Sequence, residues 1–66
     1  MKSKNKPMLN LKIMRIRKGM TQQELAKKVG ISQNALSLYE VGGRFPRRGI
    51  LDKLAEILEC DIRDII

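Results

Sequence analysis

The sequence predicts an all-α fold of five short helices, and three observations predict it. Apolar residues recur at helical spacing from Met8 onward, no segment alternates with the period of two that marks a strand, and Gly19, Gly30 and the Gly42-Gly43 pair punctuate the chain. At 66 residues the chain is one domain with a small core, burying about 60% of the surface that it exposes when unfolded. Residues 1–7 carry Lys2, Lys4 and Lys6 and end at Pro7, and are expected to form a flexible basic lead. Residues 8–66 are the domain.

The first helix begins near Met8, places Leu11 and Met14 on one stripe with Met20 beyond the break, and stops at Gly19. Thr21-Gln22-Gln23-Glu24 reads as a capping box, in which the Thr21 hydroxyl and the Glu24 carboxylate each satisfy a free amide, with Met20 and Leu25 as its hydrophobic staple. The second helix therefore runs from Gln22 to Val29, burying Leu25, Ala26 and Val29, and ends at Gly30. Ser32 is the next N-cap, with Ile31 and Leu36 in staple positions, so a third helix starts at Gln33 and buries Ala35, Leu36 and Tyr39. After the loop Arg44-Phe45-Pro46, a fourth helix buries Ile50, Leu51, Leu54, Ala55 and Leu58, and Asp61 caps a fifth over residues 62–66.

Charge points to a polyanionic partner. The chain carries +7 overall, but residues 1–50 hold twelve of the fourteen basic residues against Glu24 and Glu40 alone, whereas residues 51–66 are net acidic. One face built for a polyanion and another turned away from it fits that division, and a uniformly solvated basic surface is the plainer account. Cys60 is the single cysteine and histidine is absent, so one chain assembles neither a disulfide nor a zinc site, and no cofactor is expected. The thiol reads as a small core residue, with an intermolecular role as the alternative. Neither a signal peptide nor a membrane span is legible, which assigns the chain to the cytoplasm. Catalysis is not expected, since the sequence offers no histidine, no paired carboxylates and no phosphate-binding glycine loop.

The second and third helices with their short turn form a helix-turn-helix. Counting from Gln22, the fifth residue is Ala26, small where the next helix crosses, and the ninth is Gly30, where the turn needs a positive φ. Leu25, Val29, Ile31, Leu36 and Tyr39 fill the positions that must be apolar to lock the two helices together. With Ala35, Leu36 and Tyr39 inward, the exposed face of the third helix carries Gln33, Asn34, Ser37 and Leu38. Gln and Asn can pair bidentately with adenine, Ser serves several base edges, and Leu packs on a thymine methyl. Leu38 could equally finish the core. Gln22, at the first turn of its helix, suits a phosphate, as do Ser32 and the arginines Arg44, Arg47 and Arg48 around a fourth helix that lacks a Ser or Asp cap.

These residues carry a resemblance to the Cro/repressor, or XRE-type, family of helix-turn-helix proteins, which includes the lambdoid phage repressors. It rests on Leu11, Arg15, Gly19-Met20-Thr21-Gln22, Glu24-Leu25-Ala26, Val29-Gly30-Ile31-Ser32, Leu36, Tyr39-Glu40, Gly42, Pro46, Leu54-Ala55 and Leu58. The resemblance implies a compact five-helix, lambda-repressor-like domain whose third helix enters the major groove of double-stranded DNA, in a transcriptional regulator that binds a two-fold symmetric operator. It implies that Gln22 bonds the DNA backbone and braces the start of the third helix. It also implies that Arg15 and Glu40 form a structural ion pair. Val41, Arg48 and Glu59 depart from the pattern, where Asn, an apolar residue and Gly are usual. One recognition helix reads only a few base pairs, so a homodimer is expected on DNA, with Ile57, Ile65 and Ile66 as its interface. Ile62 is expected to close the core instead, and Ile13 and Ile16 lie off the core stripe as an interface or as singly exposed residues. A protein-interaction module of the antitoxin kind is the competing function. RNA or membrane binding is poorly supported, since Tyr39 and Phe45 are the only aromatic residues.

Overall fold

Side-chain caps mark the starts of two of the helices, and backbone bonds close the ends of all those in the described residues. A computed structural model describes residues 6–66, so most of the basic lead, including Lys2 and Lys4, lies outside the described residues. The helices are α1 (Leu9–Arg17), α2 (Gln22–Val29), α3 (Gln33–Val41) and α4 (Arg48–Leu58). The Thr21 capping box is present in full: its Oγ1 accepts from the Glu24 N–H at 3.0 Å, and its own N–H donates to Glu24 Oε1 at 2.9 Å. Ser32 Oγ accepts from the Ala35 N–H at 3.0 Å. Each hydroxyl satisfies one of the donors that a helix start leaves free.

The four helices of the described residues end on the same backbone bond. A left-handed residue directly follows α2, α3 and α4, and follows α1 one residue later, after the right-handed Lys18. The next N–H then reaches back five residues: Met20 to the Arg15 carbonyl at 3.1 Å, Ile31 to Ala26 at 3.0 Å, Gly43 to Leu38 at 2.9 Å and Cys60 to Ala55 at 2.9 Å. These bonds satisfy helix-end carbonyls. Glycine makes the turn after the first three helices, but Glu59 makes it after α4, at φ 57° and ψ 49°. The departure from the family pattern at Glu59 is therefore a departure in residue and not in backbone.

Leu11, Leu25, Leu36, Leu54, Leu58 and Ile65 are fully buried, so every helix and the C-terminal turn contribute to one core. Burying each of these side chains stabilises the fold by about 1.5–3 kcal/mol. The N–H of Met8 donates to the Tyr39 carbonyl at 3.3 Å and anchors the entry of α1 on the end of α3. Lys18 pairs with Glu59, joining the ends of α1 and α4.

Two expectations are corrected. The fifth helix is a single 3-10 turn, Ile62–Asp64, because its bonds close over three residues: the Asp64 N–H donates to Asp61 O at 2.9 Å and the Ile65 N–H to Ile62 O at 3.0 Å. Ile65 cannot serve an interface, because that turn packs against α4 and drives Ile65 into the core with no exposed surface. Of the other two residues expected there, Ile57 is half-buried against the core and Ile66 is exposed. Ile62 packs on the core as expected. Cys60 is half-buried against it, and burial, helped by Asp64 and Asp61, pushes its thiol up from the ordinary value. No helix among the described residues is long and apolar enough to cross a membrane.

Candidate nucleic-acid interface

The turn between α2 and α3 is built so that two helices can touch. Gly30 sits at φ 88°, a conformation in which a side chain would crowd the next carbonyl, and Ala26 is buried where α3 packs on α2. Ile31 packs on the core from the turn itself. With Leu36 and Tyr39 buried, α3 can present only its remaining side chains.

Of the four residues expected on that face, two are exposed and three line one groove. Gln33 and Asn34 are exposed and Ser37 half-buried, and together with Gln22 from α2 they line one surface groove. The groove thus holds three side-chain amides and a hydroxyl, each both donor and acceptor and none charged. Leu38 is not part of it. It is half-buried, and its Cδ2 lies so close to Gly43 that a Cβ there would stand 3.0 Å away. Of its two expected roles, this placement favours packing, against the turn after α3.

The cationic residues gather at the start of α4. Arg44, Arg47 and Arg48 are exposed, and Arg47 is the N-cap residue, with no side chain bonding the first amides of the helix. Arg48 Nε contacts Asp52 Oδ1 at 3.2 Å, so part of its charge is answered within the helix. Among the described residues Arg44 and Arg47 have no acidic partner within salt-bridge distance. Ser32 is exposed, and its Oγ already accepts the capping bond, which leaves the hydroxyl proton to donate.

Beneath the groove lies the ion pair implied by the resemblance, in more detail than the sequence offered. Arg15 Nε donates to Glu40 Oε2 at 2.8 Å and Arg15 Nη2 to Oε1 at 3.3 Å, with side-chain exposures of 10% and 2%. Arg15 Nη1 donates to the Met20 carbonyl at 2.8 Å, fixing the chain just before α2. Gln22 Nε2 donates to Glu40 Oε1 at 2.9 Å. That third donor, 18 residues away, leaves no local signal in the sequence. It ties Gln22 to Glu40 near the end of α3, whereas the resemblance implied a brace at its start, where Gln22 shares only the groove.

Comparison with known proteins bears on this geometry. The family model described as Helix-turn-helix matches residues 11–65. The uncharacterized HTH-type transcriptional regulator YqaE of Bacillus subtilis is 40% identical over 53 residues, covering 80% of this chain and 46% of that protein. The chain thus spans about half the length of that relative. The restriction-modification controller protein C.AhdI from Aeromonas hydrophila superposes with a TM-score of 0.81 at 28% identity, covering 88% of each chain. The biofilm master regulator SinR, solved in complex with DNA, superposes with a TM-score of 0.78 at 28% identity, covering 83% of this chain and 89% of the chain in that structure.

Proposed function

The chain belongs to the XRE-type helix-turn-helix family, and from that premise we propose that it is a sequence-specific regulator of transcription, a repressor, that binds double-stranded DNA. The groove shared by Gln22, Gln33, Asn34 and Ser37 carries this reading. Uncharged amides on an exposed helix in a strongly basic chain suit base edges, which are read by paired donors and acceptors, better than they suit phosphates. In the proposed complex α3 lies in the major groove, Gln33, Asn34 and Ser37 read bases, and Leu38 supplies at most an apolar edge. Gln22, Ser32, Arg44, Arg47 and Arg48 hold phosphates, the arginines beside the uncapped start of α4. SinR, solved in complex with DNA and similar in fold, supports DNA binding by this fold. The working unit is a homodimer on a two-fold symmetric operator in the cytoplasm, with Ile57 and Ile66 at the subunit contact.

Selection of binding sites from random duplex DNA tests this reading. The expected product is an inverted repeat with half-site centres about 10 to 10.5 base pairs apart or a multiple of that. Inserting five base pairs between the half-sites turns one of them to the opposite face of the duplex and should abolish tight binding. A pool that never enriches would overturn sequence-specific binding, and affinity unchanged by the insertion would overturn the dimer.

A further inference from the structure

The buried pair Arg15–Glu40 reaches the proposed DNA surface through one bond. Glu40 Oε1 accepts from Gln22 Nε2 at 2.9 Å, and a carboxylate flanked by a guanidinium can only accept. The Gln22 amide is therefore held in one of its two orientations, nitrogen toward Glu40. One Nε2 hydrogen and Oε1 remain to face the groove that Gln22 shares with Gln33, Asn34 and Ser37. Glu40 is itself fixed, since Arg15 grips both of its oxygens and also holds the Met20 carbonyl two residues before Gln22. A half-exposed glutamine would otherwise sample several rotamers and either amide orientation, losing that freedom on binding.

From this we infer that Glu40 is a positioning residue for DNA recognition. Resting on the DNA-binding reading above, the inference is that Glu40 orients the Gln22 amide before DNA arrives, so that Nε2 presents a donor to a phosphate and Oε1 an acceptor to an amide of α3. The pair is then part of the recognition apparatus as well as of the fold. A purely structural pair would stabilise the domain without affecting what Gln22 contributes to binding.

A double-mutant cycle on the selected duplex separates the two roles. Arg15→Met with Glu40→Met replaces the pair by apolar side chains of similar length, a change that domains often tolerate. Gln22→Ala should weaken binding about tenfold in the unmodified protein, and less than about threefold in the Met/Met background, where Gln22 has already lost its acceptor. Equal losses in both backgrounds would overturn the inference while leaving DNA binding intact. If the unmodified protein selects no duplex, the DNA-binding reading falls, and this inference with it. Should the Met/Met protein fail to fold, side-chain amide ¹⁵N relaxation of the free unmodified protein decides. Gln22 as rigid as the backbone, against a mobile Gln23, supports the inference, and equal mobility overturns it.

Discussion

Removing one member of the Arg15–Glu40 pair should bring the domain close to unfolding. A domain of 66 residues has a stability of about 3–10 kcal/mol at typical values per residue. Stranding a buried charge costs about 3–5 kcal/mol, a large part of that total. The two deletions should not be equal. Arg15→Ala leaves a carboxylate with only 2% of its side chain exposed and, among the described residues, the Gln22 amide as its remaining side-chain donor, so it belongs at the upper end of the range. Glu40→Ala leaves a guanidinium that keeps the Met20 carbonyl, has 10% exposure and can extend its stem toward water, so it belongs at the lower end. Replacing both by Met should change stability by little, because the desolvation cost of two charges disappears along with their attraction. Urea unfolding followed by circular dichroism measures all three. If either alanine variant lost less than about 1 kcal/mol, the pair would be behaving like an exposed surface contact and the argument from burial would fail.

The proposed DNA contacts make separable claims. Binding should weaken steeply with salt, with a log-log slope of about −5 to −9 for six to ten neutralised phosphates per dimer, and Arg44→Ala should weaken all sequences alike and make that slope shallower. A slope near zero in a salt titration would refute the electrostatic assignment. Gln33→Ala or Asn34→Ala should cost about 1–3 kcal/mol on the selected site and little on random duplex, and equal losses on both would move these residues to phosphate contact. The Thr21 backbone N–H, followed by its hydroxyl, holds the Glu24 carboxyl below its ordinary value. Its contribution is complete above the ordinary glutamate range and is lost as pH falls through the lowered value in the folded state. Glu24→Gln keeps a capping acceptor but does not titrate, so thermal melts should show a shallower acid decline than in the unmodified protein.

Helix boundaries were legible because they are set by groups only a few residues apart: Thr21 with Glu24, Ser32 with Ala35, and Gly30 with Ala26. The face of α3 followed from them, since burying Leu36 and Tyr39 leaves Gln33 and Asn34 outward whatever else the fold does. Ile65 and Gln22 were harder for the same physical reason. The burial of Ile65 depends on how the C-terminal turn lands on α4, and the orientation of Gln22 depends on a carboxylate 18 residues away, neither of which periodicity encodes. Leu38 belongs with them, because its choice between core and surface is decided by the path of the loop at Gly43.

Glu59 offers a case in which two visible effects oppose each other. In the left-handed conformation at φ 57° its Cβ is pressed toward the following carbonyl, a cost that glycine avoids at the ends of α1, α2 and α3. In return its carboxylate pairs with Lys18, and that bond lowers its pKa from the ordinary value. The Glu59 side chain is 74% exposed, however, so water and salt screen the pair, and backbone strain should outweigh it. Glu59→Gly should therefore raise the melting midpoint by roughly a few degrees, as expected for a small gain in so short a domain. Glu59→Ala loses the pair but keeps the strain, and should melt below the unmodified protein. Raising the salt concentration should widen the advantage of glycine over the unmodified protein, since the pair is by then already weakened, while leaving the gap between glycine and alanine nearly constant. A glycine variant that melts no higher than the alanine variant would show that the turn holds Glu59 without backbone cost.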